Sequence, residues 1–294
     1  MSHKAGFVNI IGSPNVGKST LMNLLVGERL SIITNKAQTT RHRIMGIVNT
    51  DEYQIVYSDT PGLVNSAYAL HDSMMAFVQT ALQDADILLL VVEIGQATLN
   101  HIPTLEKIAA MEVPVLIALN KVDKSDEEKV KKQIDLWKNT IPRAEIFPIS
   151  ALHKFNVESL FDRLVELLPE SPPFFDKSEM TDKPMRFFMS EIIREKIFMH
   201  YKKEIPYSSE VEIEEFIDKG HIVHIHANIM VERPTQKGIL IGHKGKSLKL
   251  VGTEARIDIE GFLNKKVFLE LHVKVNKDWR NQKSKLRQLG YDNL

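Results

Sequence analysis

Short apolar runs bounded by polar or Gly/Pro-marked turns fill the first 168 residues, alternating with stretches whose apolar positions recur at helical spacing. Residues 7–11, 53–58, 87–92, 115–119 and 146–149 read as buried strands. Residues 18–26, 104–111, 126–140 and 157–168 read as helices. One pair of runs breaks the alternation: 43–49 and 53–58 flank only Thr50, Asp51 and Glu52, a connection suited to a hairpin. Strand and helix taking turns in this way predict an α/β unit, a mostly parallel sheet with helices on both faces.

Beyond residue 168 the pattern changes. Pro169, Pro172, Pro173 and Pro184 punctuate a polar stretch that favours extended chain, so a linker is expected over 170–184 between a first domain, 1–169, and a second, 185–294. Phe188, Ile192, Ile193, Ile197 and Tyr201 then line one face of a helix. Three alternating segments follow. Val211, Ile213 and Ile217 are expected on one face, as are Val223, Ile225, Ala227, Ile229 and Val231, and Val267, Leu269, Leu271, Val273 and Val275. Glu210, Glu212, Glu214, His224, His226, Glu270, His272 and Lys274 lie opposite, which predicts an α+β domain with helices on one side of its sheet and water on the other. His221, His224 and His226 raise the question of a metal, but no third ligand is evident and the neighbouring glutamates offer ordinary cross-strand partners.

The absence of cysteine excludes disulfides and thiolate metal sites. The longest apolar stretch, 87–92, is too short to span a bilayer and no signal-peptide pattern opens the chain, so a cytoplasmic protein is expected. Lys and Arg total 38 against 38 Asp and Glu, yet from Glu232 onward there are fourteen basic residues and seven acidic ones. That bias suits a polyanionic partner, and it would also allow weak peripheral contact with the inner face of an anionic membrane.

Four patches carry recognisable chemistry. Gly12-Ser13-Pro14-Asn15-Val16-Gly17-Lys18-Ser19 fits G-x-x-x-x-G-K-S/T between a strand and a helix, where backbone N–H groups and a helix N-terminus favour phosphate. Lys18 is expected to reach the β- and γ-phosphates, Ser19 to bind magnesium, and Thr20 to belong to the same loop. Asp59-Thr60-Pro61-Gly62 follows a strand; Asp59 is expected to hold magnesium through water. Asn120-Lys121-Val122-Asp123 follows another strand, and the Asp123 carboxylate can accept hydrogen bonds from guanine N1–H and its exocyclic amine, which excludes adenine. Ser150-Ala151-Leu152 follows the last strand and brings N–H groups toward the guanine oxygen. Together these predict a P-loop NTPase fold that binds GTP and GDP with Mg2+. The polar segment 31–43 is the expected switch, with Thr40 closing over the metal and Thr39 its rival. Many GTPases place a water-orienting glutamine after D-x-x-G; here Leu63 stands there, so intrinsic turnover is expected to be slow or its water to be positioned from elsewhere.

In the second domain, Ile239-Leu240-Ile241-Gly242-His243-Lys244-Gly245-Lys246 precedes a helix read over 247–263. A G-x-x-G turn admits a nucleic-acid backbone, apolar neighbours such as Ile241 can line a groove for unstacked bases, and Lys237, His243, Lys244, Lys246 and Lys249 can contact phosphates. Trp279, Leu286, Leu289 and Tyr291 are expected to dock a short basic tail onto this domain.

This order of elements resembles a type II KH domain. Joined to the guanine-nucleotide motifs, to Lys36-Ala37-Gln38-Thr39-Thr40-Arg41-His42-Arg43 and to Ser190-Glu191-Ile192-Ile193-Arg194-Glu195-Lys196, the chain resembles the Era family of ribosome-assembly GTPases. The resemblance, running from about Lys4 to Tyr291, implies binding to the 3′ end of 16S ribosomal RNA and work on the 30S subunit by a monomer. It also implies that Asn15 holds a potassium ion near the phosphates.

Overall fold

The computed structural model describes residues 3–291. The first domain contains strands β1 (Lys4–Ile11), β2 (Ile44–Asn49), β3 (Tyr53–Asp59), β4 (Ile87–Glu93), β5 (Val115–Asn120) and β6 (Glu145–Pro148). They form one sheet in the order β2-β3-β1-β4-β5-β6, parallel except for β2 against β3. Helices α1 (Lys18–Val26), α2 (Ala69–Gln83), α3 (Ile102–Ala110), α4 (Glu127–Thr140) and α5 (Val157–Leu167) cover it. Ile87 to Val92 and Val115 to Asn120 are buried throughout, as central parallel strands covered on both faces must be. The sheet separates two cores, one around Val8, Ile10 and Leu21 and the other around Ile11, Leu90 and Ile117. Among the expected elements α2 is missing, although Leu70, Met74, Phe77, Val78, Ala81 and Leu82 recur at helical spacing and are buried.

Residues 174–182 are not a free tether. The Ile47 amide donates to the Met180 carbonyl at 2.8 Å, the Thr181 hydroxyl to the Met45 carbonyl at 2.7 Å, and Gln54 Oε1 accepts the Phe174 and Phe175 amides at 2.7 and 3.0 Å. This extended strap satisfies backbone groups at the edge strand β2 that water would otherwise meet.

Helices α6 (Met185–His200) and α7 (Ile205–Ser208) lead into strands β7 (Glu210–Asp218) and β8 (Ile222–Val231), helices α8 (Pro234–Ile241) and α9 (Lys246–Leu263), and strand β9 (Lys266–Val275). The sheet runs β7-β8-β9, with β7 antiparallel and β9 parallel to β8. Helices α6 and α9 pack on one face; the other carries His226 and His272 in contact with Glu214 and Glu270. Among the described residues no group of three or more His, Asp or Glu is arranged to hold a metal. Face assignments are corrected at three places: a bulge between Ile213 and Glu215 shifts the register, so Phe216 opposes Ile225 on the core side while Ile217 opposes His224 and is 47% exposed; Glu210, expected on the wet face, is buried against Arg41; and Val275, at the end of β9, is exposed.

After β9 come a 3₁₀ turn at Trp279–Asn281 and helix α10 (Lys283–Gln288). This tail reaches further than expected. Trp279, Leu286 and Tyr291 pack with Leu70, Met74 and Phe77 of α2, so the tail closes onto the first domain as well as the second. Residues 292–294 of the predicted second domain lie outside the described residues. Among the described residues no helix is long and apolar enough to cross a membrane.

Candidate nucleotide site and RNA-facing turn

A cleft of about 530 Å³ opens at the carboxyl ends of β1, β3 and β5. Asn15, Gly17, Lys18, Ser19, Thr20, Gly62, Asn120, Lys121, Asp123, Ser150, Ala151 and Leu152 all line it. Gly12 and Val16 stand just behind. The Gly12 carbonyl accepts Lys18 Nζ at 3.1 Å and the Leu63 amide at 3.2 Å, and the Val16 carbonyl accepts Asn120 Nδ2 at 2.8 Å.

Asn120 ties the site together, because its Oδ1 also accepts the Ala151 amide at 2.9 Å. Gly17 is held at φ +101°, and a Cβ there would lie 2.3 Å from Asn120 Nδ2, so glycine is required both by the turn and by this neighbour. Lys121 adds a second tie, donating to the Asn15 carbonyl at 2.6 Å and to Glu93 at 2.8 Å. Asp123 stands at the cleft with its carboxyl held below the ordinary value by a hydrogen bond from Ser150, which keeps it an acceptor.

Lys18 is 6% exposed and donates also to the Ser13 carbonyl at 3.0 Å. Burial pulls its pKa down to about 8 against the opposing pull of Asp59. Asp59 is fully buried, and burial pushes its carboxyl up while Lys18, Ser19 and Thr40 oppose the shift. Its Oδ1 has no partner. Its Oδ2 accepts Ser19 Oγ at 2.7 Å and Thr40 Oγ1 at 3.3 Å, and the two hydroxyls are 2.9 Å apart. The Thr39 hydroxyl instead turns into its own loop, 2.6 Å from Thr34 Oγ1 and 2.8 Å from the Lys36 carbonyl. Three hard oxygens meet beside an orphaned carboxylate oxygen, and that donor set fits magnesium. Leu63 is wholly buried among Ile11, Val78 and Leu90.

The switch segment sits between this cleft and the second domain. Arg41, 1% exposed, donates to Glu210 at 2.8 Å, to the Ser209 carbonyl at 2.9 Å and to the Pro206 and Tyr207 carbonyls at 3.0 and 3.2 Å. His42 stacks on Tyr291 with ring centroids 4.1 Å apart. Neither contact was expected from the sequence, because every partner lies more than 160 positions away.

At the far end of the second domain, Gly242 adopts φ 69°, ψ −179° and Gly245 φ 77°, closing a tight turn onto the N-terminus of α9. A Cβ on Gly242 would fall 2.1 Å from Ser247 Oγ. His243, Lys244, Lys246 and Lys249 are exposed around this turn, while Lys237 and Ile241 are half-buried beside it.

Residues 7–121 match the family model of the 50S ribosome-binding GTPase, and residues 204–280 match that of the KH domain. GTPase Era of Syntrophus aciditrophicus (strain SB) is 45% identical over 292 residues, covering 98% of this chain and 95% of its own. GTPase Era of Pseudomonas aeruginosa (strain LESB58) is 43% identical over 293 residues, covering 99% and 96%. This chain belongs to the Era GTPase family. A crystal structure of Era in complex with MgGDPNP and nucleotides 1506–1542 of 16S ribosomal RNA superposes with a TM-score of 0.94 at 37% identity, covering 99% of this chain and 100% of that one. A crystal structure of an Aquifex aeolicus Era variant bound to GDP.AlF4- matches with the same score, identity and coverage.

As an Era GTPase the chain converts GTP to GDP and phosphate. Ser19, Thr40 and Asp59 are the residues that would hold magnesium, which when bound supplies positive charge against the phosphate oxygens. Lys18 brings a second, fixed positive charge whose burial strengthens its pull on phosphate. The loop amides around Gly17 and the N-terminus of α1 add donors aimed at anions. Leu63 has no polar group with which to orient an attacking water. Asp123, kept ionised at the cleft, can accept hydrogen bonds from guanine N1–H and its exocyclic amine.

Proposed function

We propose that this Era GTPase binds the 3′ end of 16S ribosomal RNA through its KH domain and acts, as a cytoplasmic monomer, on the 30S subunit during its assembly. The observation that carries this reading is the glycine-enforced turn at 242–245, seated on a long helix and ringed by His243, Lys244, Lys246 and Lys249. Supporting it, the relative crystallised with MgGDPNP holds nucleotides 1506–1542 of that RNA. Contact of the basic end with an anionic membrane is a secondary reading that no element of the fold favours over RNA. Potassium is a further part of the proposal. Asn15, at φ 64°, presents its amide to the switch: Nδ2 lies 3.4 Å from the Asn35 carbonyl, or with the amide turned, 2.7 Å from that of Lys36.

GTP and RNA are coupled in this reading, because the switch that senses the γ-phosphate also touches the second domain. Titration of an RNA of the 1506–1542 segment against protein loaded with a GTP analogue or with GDP tests both parts. Tighter binding in the GTP form is expected, with RNA raising the affinity for the analogue relative to that for GDP by the same factor. An analogue affinity untouched by saturating RNA would remove the coupling, and equal binding of a scrambled RNA would remove the recognition.

A further inference from the structure

The stretch 190–196 of α6 plays no part in the chemistry above, yet it holds Glu191, Arg194, Glu195 and Lys196, none more than 6% exposed. Buried charges persist where they are paired and where their geometry is used. Arg194 forks onto Glu191 at 2.7 and 2.5 Å, and its Nη2 also donates to the Thr39 carbonyl. Glu195 accepts the Ile33 amide at 3.2 Å, so α6 grips the switch at two points. The carbonyl held by Arg194 belongs to the peptide bond that leads directly into Thr40, whose hydroxyl lies in the magnesium donor set. A guanidinium can serve Glu191 and a carbonyl at once because its donors point in fixed, divergent directions, which an ammonium cannot match.

We propose that Arg194 is a positioning residue for GTP hydrolysis: from the second domain it holds the Thr39 carbonyl and so keeps the Thr40 hydroxyl at the metal. It touches no phosphate and acts entirely through Thr40. The inference rests on the GTPase reading of the cleft. It also gives the KH domain a role in catalysis within the same chain, separate from its contact with RNA.

The test uses four full-length proteins: wild type, Arg194→Lys, Thr40→Ala and the double variant. Single-turnover hydrolysis is measured together with affinities for GDP and a GTP analogue across a magnesium titration. Arg194→Lys is expected to slow hydrolysis about ten-fold, the worth of one charge-assisted hydrogen bond in alignment. It should raise the magnesium needed to bind the analogue while leaving GDP affinity unchanged, a split that general loosening of the fold would not produce. The double variant should be no slower than Thr40→Ala alone, because both changes break one route. Losses that multiply in the double variant would overturn the proposal, as would Arg194→Lys turning over at the wild-type rate. If Arg194→Lys does not fold, the neutral pair Glu191→Gln with Arg194→Gln replaces it under the same criteria. A wild type without GTP turnover would overturn the reading of the cleft itself, and the proposal with it.

Discussion

Asn15 holds a conformation that few residues in the phosphate loop share, and the proposed potassium site rests on it. It sits in the left-handed region, which asparagine tolerates better than most residues, and this turns its side chain toward the carbonyls of Asn35 and Lys36. A monovalent cation held between that amide and those carbonyls would put positive charge beside the transferring phosphoryl, where Leu63 contributes nothing. Wild-type GTP turnover is therefore expected to be about ten- to a hundred-fold faster in potassium than in sodium, and Asn15→Ala should erase the difference. Equal wild-type rates in the two salts would end the idea. Residues such as Lys18, Asp59 and Asp123 were legible in the sequence because each belongs to a motif whose spacing has a chemical reason. Thr40 and Thr39 were legible only as rival candidates; what distinguishes them, the Thr39 hydroxyl bonded within its own loop and that of Thr40 beside Asp59, depends on contacts the sequence does not display. Arg41 and Arg194 were not legible as links between the domains. Their partners, Glu210 and the Thr39 carbonyl, are distant in sequence, and a charged side chain gives no sign of being buried until its neighbours are known.

Between β8 and β9 the turn at 242–245 shows how an element depends on backbone that only glycine supplies. Gly242 and Gly245 both have positive φ, but they differ in surroundings: a Cβ on Gly242 would strike Ser247, whereas one on Gly245 meets nothing within 4 Å. Gly245→Ala should therefore lose only the conformational preference, about 1–2 kcal/mol. Gly242→Ala adds a collision at the N-terminus of α9 and should distort the turn itself, lowering RNA affinity about ten-fold or more beyond the Gly245 variant. GTP binding should be unchanged in both. Comparing the two by thermal unfolding and RNA titration checks this, and equal RNA affinities would count against the turn as the contact. Most strands and helices could be read from periodicity because each buries one face, or both, against a single core. The bulge in β7 could not: one inserted residue moves Phe216 inward and Ile217 outward without any change in composition to mark it. The strap at 174–182 was legible as extended chain, but its docking on β2 depends on an open sheet edge that no local pattern reveals.

At the scale of the molecule, two domains joined by a short segment would by default be free to move against each other, but here buried charges and rings cross between them. Glu210 is the centre of that contact. It is 4% exposed, accepts Arg41 Nη1 at 2.8 Å and the Tyr291 hydroxyl at 2.5 Å, and so joins the switch, the start of β7 and the tail that packs on α2. Burial pushes its carboxyl up, but Arg41, Arg194, Tyr291 and His42 outweigh that and hold it below its ordinary value of 4.5. A carboxyl depressed on folding gives stability that is present above the unfolded value and lost as pH falls through the folded one. Glu210→Gln leaves Arg41 buried without its counter-charge, so at pH 7 it should cost about 3–5 kcal/mol of unfolding free energy. The gap between wild type and variant should stay constant from pH 7 down to about 4.5 and narrow below that, as the wild-type carboxyl takes up its proton. Denaturant unfolding of both proteins between pH 7 and 3 measures this. Trp279, buried in the tail, should also report unfolding at lower denaturant than Trp137 in α4 once Gln replaces Glu210, because the tail loses its anchor while the first core keeps its own. A gap that persists unchanged to pH 3 would show that the ion pair is not what locks the domains. Coincident transitions of the two tryptophans in the variant would show that the tail does not depend on Glu210.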